Sequence, residues 1–206
     1  MKRTLAVVSA GLRLPSSTRM LADRLADSTR RLLEERGERV DVVVVEVRDL
    51  ARDMVSHLTT GYPSEELRHA FETIAKADGL IAVTPTFTAS YSGLFKMFFD
   101  CLDDTALVGK PVLIAATGGT GRHSLVLEHA LRPMFAYLRA VTLPTAVFAA
   151  TEEWGGGGGG DAGEPLAQRV ERAAEELAGE VVRRESPTAP DPYGASVPFE
   201  RLLEGR

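Results

Sequence analysis

Apolar residues follow two rhythms along this chain. Short continuous runs recur at Thr4–Ser9, Val40–Val47, Leu80–Thr84, Val112–Ala116 and Val141–Phe148. Runs of that length suit strands buried on both faces, and Val42-Val43-Val44-Val45 is the plainest case. Between them, apolar residues return every three or four positions, the period of an amphipathic helix. The first helix is capped by Ser16, Ser17 or Thr18 and reaches about Arg36, carrying Met20, Leu21, Leu25, Leu32 and Leu33 before Gly37 stops it. The second runs from Ser64 to about Lys76 with Leu67, Ala70, Phe71 and Ile74 inward. The third opens at Gly93, where Leu94, Phe95, Met97, Phe98 and Leu102 make a broad apolar face. The fourth spans Ser124 to Ala140, and Pro133 must kink or interrupt it. The last covers Glu164 to Arg184. Arg48–Pro63 keeps neither rhythm and reads as irregular, a lid or a subunit-contact segment. Pro85 ends the third strand, and Pro144 belongs at an edge or at the start of the fifth.

Strands alternating with helices predict an α/β fold, a three-layer sandwich with a five-stranded parallel sheet and right-handed crossovers. A flavodoxin-like strand order, 2-1-3-4-5, puts the switch point between strands one and three. The loops after strands one, three and four then converge on one cleft. The domain runs over 1–185, with Trp154 and the Gly155–Gly160 run as a flexible segment inside it. A Pro-rich tail, 186–206, follows and ends in Phe199, Leu202 and Leu203.

Composition narrows the function. The 206 residues carry a formal charge of -5 with no long Lys/Arg block, which argues against a general nucleic-acid or anionic-membrane binder. One cysteine, Cys101, rules out an internal disulfide and fits a buried thiol in a reducing, cytoplasmic compartment. His57, His69, His123 and His129 form no ligand pattern, so no metal site is expected. His69 and His129 read as surface helix residues. No stretch is long enough to span a membrane, and the apolar run after Met1-Lys2-Arg3 is too short for a signal peptide.

The converging loops carry the chemistry. Loop one has neither GxGxxG nor GxxxxGK[ST]. It offers Ser9, Arg13, Ser16, Ser17 and Thr18 ahead of a helix N-terminus, whose free N–H groups suit a phosphate. Simple capping by Ser16 or Ser17 is the alternative reading of the same residues. Loop three brings Pro85, Thr86, Phe87, Thr88, Ser90 and Tyr91, which present hydroxyls and rings to something flat and polar. Thr117, Gly118 and Gly119 of loop four let backbone approach a ring edge closely, or form an ordinary flexible turn. His123 reads as a surface residue. A phosphate cradle, an aromatic-lined slot and a glycine wall at one sheet edge suit FMN.

Three stretches, SAGLRLPSSTRMLADRL, TPTFTASYSGLFKMFFD and TGGTGRHSLVLEHALRPMFAYL, resemble the NADPH-dependent FMN reductase family of flavodoxin-like proteins. The nearer resemblance is to the FMN reductases that partner luciferase-like flavin monooxygenases. It covers about Thr4 to Phe148, and the tail DPYGASVPFERLL is similar to that subgroup too. The resemblance implies a phosphate loop at Ser9, Ser16, Ser17 and Thr18, an isoalloxazine loop at Pro85, Thr86, Phe87, Thr88 and Ser90, and a third wall at Thr117, Gly118 and Gly119. Gly93 and Lys96 match its helix-starting pattern. Three departures stand out: Phe87 where Tyr is common, Thr88-Ala89 where Asn-Gly is common, and Ser92 where Pro is common.

It further implies hydride transfer from NADPH to FMN, with no catalytic acid or base from the protein. Reduced flavin would pass to a flavin-dependent monooxygenase. A quinone or azo-compound reductase with tightly held FMN shares every motif. A non-enzymatic flavodoxin-like electron carrier is the reading from another class, although the T-x-T-G-like phosphate loop of flavodoxins is missing. A nucleotide-free interaction module is a third. A homodimer or homotetramer is expected, because Phe95, Met97, Phe98 and Phe99 exceed what one sheet face needs and the tail is built to lie on a neighbour.

Overall fold

The computed structural model describes residues 1–154 and 164–184. In chain order these form β1 (Lys2–Ser9), α1 (Ser17–Glu35), β2 (Arg39–Glu46), α2 (Ala51–Thr60), α3 (Glu65–Lys76), β3 (Gly79–Phe87), β4 (Ser90–Tyr91), α4 (Gly93–Cys101), β5 (Pro111–Gly118), α5 (Arg132–Tyr137), β6 (Val141–Thr142), β7 (Val147–Ala150) and α6 (Leu166–Arg183). The Gly155–Gly160 run and the tail 186–206 lie outside the described residues.

The sheet is ordered β2-β1-β3-β5, with β6 and β7 both on the outer flank of β5. All these pairs are parallel; β4 alone turns back, antiparallel on the end of β3. This is the flavodoxin-like order predicted from the alternation of runs. Alternate residues of each strand feed opposite cores, as the two-residue period requires. Ala6, Val8, Leu80, Ala82, Val112 and Ile114 face α2–α5. Leu5, Val7, Ile81, Val83, Leu113 and Ala115 face α1 and α6. Helices therefore cover both faces, giving three layers. Among the described residues no helix is long and apolar enough to cross a membrane.

Five expectations are corrected. Arg48–Pro63 is not irregular: a 3-10 turn, Val47–Leu50, leads into α2, which buries Met54 and ends on Gly61 at φ 81°. Pro85 does not end the third strand, which runs on to Phe87. β1 stops opposite Val83, so the flank of β3 beside it is already open at Pro85, and proline is tolerated there. The Val42–Val45 run is not buried on both faces, because β2 is an edge strand and only Val45 of the four is fully covered. Met20 is exposed rather than on the inner face of α1. The aromatics of α4 need no partner molecule: Phe95, Phe98 and Phe99 are buried in one cluster, with Phe99 and Phe135 edge to face at 5.0 Å and Phe71 tilted on Phe98 at 5.7 Å.

Pro133 is expected to kink or interrupt its helix, and Pro144 to stand at an edge or at the start of the fifth strand; Pro144 instead falls in a break between two pieces of that strand. The segment around Pro133 is a π turn, Leu127–Leu131, running directly into the short α5, so the wider turn just before Pro133 is where the helix departs from α geometry. The fifth strand splits at Pro144. Leu143–Ala146 stand opposite only Leu113 and Ile114, so β6 and β7 are out of step across the break. Arg132 donates to the carbonyls of Leu143 at 2.8 Å and Pro144 at 3.2 Å, and the Thr145 N–H donates to Glu176 at 2.9 Å. Side chains thus take up backbone groups that the broken ladder leaves open.

At the opposite end of the sheet from the loops described below, Lys110 is 6% exposed and donates from Nζ to the carbonyls of Ala75, at 3.2 Å, and Ala77. Burial pushes its amine from 10.5 down to about 8, against the pull of the nearby Asp78 carboxylate. Below pH 8 the folded chain holds a buried cation. Above it the folded amine sheds its proton while the unfolded one keeps it to about 10.5, so stability rises with pH across that window. The gain is at most about 3 kcal/mol. Urea unfolding at pH 7.5 and 10 should show wild type gaining on Lys110→Met; parallel pH profiles would mean that Lys110 stays charged throughout.

Candidate functional site

Loop one runs from Ala10 to Ser16 over the carboxyl end of β1. The Ala10 N–H donates to the Val83 carbonyl at 3.0 Å, tying the start of the loop to β3. A Cβ on Gly11 would stand 2.1 Å from Ser16 Oγ, so any larger residue there would displace that hydroxyl. Ser16 is the N-cap of α1: its Oγ accepts from the Arg19 N–H at 3.2 Å. Ser17 and Thr18 follow as the first helical residues, and their N–H groups belong to those a helix leaves without an internal partner. The nineteen residues of α1 direct a partial positive charge to this point.

Net side-chain charge here is modest. Arg19 is held firmly cationic by hydrogen bonds to Glu46 and Asp23, both at 2.7 Å, which offset its charge. Arg13 is exposed and makes no ion pair among the described residues. Arg48, from the turn after β2, donates to the Arg13 carbonyl at 3.5 Å.

Loop three is a tight hairpin. Thr86 pairs with Tyr91 and Phe87 with Ser90, leaving Thr88 and Ala89 as a two-residue turn. Both take positive φ, 49° and 64°, as a primed turn requires of its two central residues. Thr84 holds the base. Its buried hydroxyl donates to the Pro85 carbonyl at 2.9 Å and accepts from the Ser92 N–H at 3.0 Å. Ser92 caps α4 by accepting from the Phe95 N–H at 3.1 Å. Sequence reasoning missed Thr84 and Ser92. The signal was there for Ser92, whose position ahead of an apolar helical period is that of an N-cap. Phe87 stands 46% exposed at the hairpin end.

Loop four begins at Thr117, which lies in register with Pro85. A Cβ on Gly118 would meet the Phe148 ring at 2.8 Å, whereas Gly119 has open space on that side. Thr120 caps the short turn that follows, where Arg122 and His123 are exposed.

Ser9, Arg13, Ser16, Ser17, Thr18, Pro85, Thr86, Phe87, Thr88, Ser90, Thr117, Gly118 and Gly119 therefore lie on three loops at one end of the sheet. One bond joins the start of α1 to loop four: Thr18 Oγ1 and Thr117 Oγ1 are 2.9 Å apart, both buried. Ser9 Oγ and Thr86 Oγ1, at the carboxyl ends of β1 and β3, are buried without a hydrogen-bond partner among the described residues. A buried hydroxyl left unpaired costs about 1–3 kcal/mol, so such groups mark a place that a polar ligand completes. On the far side of the hairpin, a cleft of about 550 Å³ separates α4 from α5, lined by Ser90, Tyr91, Lys96, Phe99, Met134 and Tyr137 among others.

The NADPH-dependent FMN reductase family model matches residues 3–155. An FMN reductase (NADPH) of Pseudomonas aeruginosa is 39% identical over 173 residues, 83% of this chain and 88% of that protein. The NADH-dependent FMN reductase SfnF of Pseudomonas putida is 40% identical over 146 residues, 71% of this chain and 76% of that one. Among solved structures, an oxidoreductase from Corynebacterium diphtheriae superposes with a TM-score of 0.84 at 47% identity, covering 89% of this chain and 99% of its own.

The hairpin yields a direct test. An L-residue held at positive φ is strained, and glycine is not. Ala89→Gly should raise stability by about 1 kcal/mol, read as a higher thermal midpoint. A lower midpoint would show that the tip does not hold this conformation.

Proposed function

This chain belongs to the NADPH-dependent FMN reductase family, and we infer that its three loops hold FMN and present it to a reduced nicotinamide dinucleotide. The protein is an NAD(P)H-dependent FMN oxidoreductase with a flavodoxin-like fold. The observation that carries the site assignment is the meeting of open first-turn amides, unpaired buried hydroxyls and a glycine wall at one sheet edge.

FMN fits these residues. Its phosphate would take the Ser17 and Thr18 N–H groups and the hydroxyls of Ser16 and Ser17, with Arg13 adding charge. Ser9 and Thr86 supply hydroxyls that have no partner among the described residues. The hairpin from Pro85 to Ser90 forms the floor for a flat ring, and Thr117, Gly118 and Gly119 form the wall at its edge. FMN, once bound, supplies the ring nitrogen that accepts hydride, so the protein's task is orientation and electrostatics. Hydride transfer needs close, aligned approach of two rings. Ala89, Ser90 and Gly93, beside the exposed Phe87, are small enough to leave room for the nicotinamide. No side chain at the site needs to move a proton.

NADPH is the donor carried by the resemblance, whereas the named relatives use NADPH or NADH, so both donors belong in the test. Steady-state nicotinamide consumption should rise with added FMN. Turnover only with a quinone or an azo dye, at constant bound FMN, would instead identify a reductase of those compounds. Flavin that binds and accepts hydride from neither nicotinamide would leave an electron carrier.

Three finer readings complete the proposal. Reduced flavin feeds a flavin-dependent monooxygenase, a role supported by the sequence resemblance to reductases of such pairs. A cytoplasmic location accords with a single, buried cysteine. The chain assembles as a homodimer or homotetramer. With the α4 aromatics accounted for inside one molecule, support for assembly rests on the α4–α5 cleft and on Tyr137 beside it, 85% exposed. Light scattering at micromolar concentration should report an oligomer, and Tyr137→Asp should shift it toward monomer; a wild-type monomer would sink this reading.

A further inference from the structure

The two halves of the site lie on different elements. The phosphate end is the first turn of α1; the ring end is built on β3 and β5. The backbone of the two ends is joined through Ala10 and Val83, at the start of loop one and well before the helix. Farther along, α1 packs Leu21, Ala22 and Leu25 on the apolar face of β3 and β5, but at its first turn the one hydrogen bond to β5 among the described residues is between side chains. Thr18 Oγ1 and Thr117 Oγ1 share a hydrogen bond of 2.9 Å, with Thr18 2% and Thr117 4% exposed. Water does not compete for a bond so buried, and low local polarity strengthens it.

Each partner sits where movement matters. Thr18 carries one of the open first-turn amides, so its side chain fixes where that N–H points. Thr117 precedes the glycine wall and lies in register with Pro85 at the base of the hairpin. Each hydroxyl already has a partner within the protein, unlike those of Ser9 and Thr86. Thr18 and Thr117 are thus suited to holding each other, while their neighbours are suited to holding a ligand.

We propose that Thr18 and Thr117 are a pair of positioning residues, whose shared bond clamps the phosphate-binding turn of α1 to the ring wall of β5. The inference rests on the FMN reading above. It reverses the simplest assignment of Thr117, because a residue at the ring end sets affinity for the phosphate. It also makes the phosphate a lever on the ring: an anion that draws in the first turn of α1 draws Thr117 and the wall with it.

The experiment compares FMN with riboflavin, which has the same ring and no phosphate. Dissociation constants for both are measured on wild type, Thr18→Val, Thr117→Val and the double variant, with Ser16→Ala as a reference for loss at the phosphate end alone. Thr117→Val should weaken FMN roughly five- to tenfold and riboflavin less than about twofold, the scale of one lost hydrogen bond. Thr18→Val should do the same. The double variant should be no worse than either single one, because both remove the same bond. Thr18→Ser and Thr117→Ser keep a hydroxyl and should restore the preference for FMN. Equal weakening of FMN and riboflavin by Thr117→Val would overturn the proposal, as that is the mark of a plain ring contact. So would losses that multiply in the double variant. If the valine variants do not fold, Thr18→Ala and Thr117→Ala are compared by the same criteria. Wild-type protein that binds neither flavin, or binds both alike, would instead overturn the FMN assignment itself.

Discussion

The site depends on β3 outrunning its neighbour. β1 ends opposite Val83, and β3 continues to Phe87. Up to Pro85 the strand is buried on both faces, so helices must cover both sides of the sheet and the chain can open only at the strand ends. The overhang from Thr84 to Phe87 then has β5 alone beside Thr84 and Pro85, and β4 beside Thr86 and Phe87. Loop one can lie across the vacant flank, and the hairpin folds back on the end of the overhang. Shortening β3 would remove the floor of the site; lengthening β1 would fill the place of the helix start.

Much of this could be read from the chain because it rests on local chemistry. Strand order follows from buried runs alternating with helical periods, and a helix start from the hydroxyls of Ser16, Ser17 and Thr18, of which Ser16 proves to be the cap. The same logic failed where tertiary contacts decide. α2 has only Met54 fully buried, too little periodicity to show in a short segment rich in Ser and Thr. The α4 aromatics looked surplus because one helix cannot reveal that Phe135 and Phe71 wait for them across the core. The link between Thr18 and Thr117 joins residues ninety-nine positions apart, and no spacing rule points to it. The candidate site was legible as three loops; how they are held to one another was not.

The electrostatics are those of backbone rather than of side-chain charge. The chain is acidic, and the arginine nearest the helix start, Arg19, is occupied by Glu46 and Asp23. Oriented N–H groups at a helix start discriminate a phosphate by position as well as by sign. Such groups cannot be neutralised or reoriented by a passing counter-ion, but they must be held still. In the proposed phosphate site, rigidity at the first turn of α1 therefore matters more than another arginine would, and the buried pair of hydroxyls would supply it.

The hairpin shows the opposite balance. Thr88 and Ala89 pay in backbone strain for a turn that Asn-Gly would make at lower cost. Ser92, in turn, caps α4, which a proline there could not do with a side-chain oxygen. Strain at the tip is tolerated because the base is strongly held: Thr84 binds Pro85 and Ser92 together, and Ser92 fixes the first turn of α4. The consequence is a short, small-residue tip on a rigid stem, with Phe87 beside it. In the proposed binding mode, a larger or looser loop would shield the ring face that a nicotinamide has to reach. Local preference is thus overridden where that mode needs an open face, and the buried threonine beneath it is what makes that override stable.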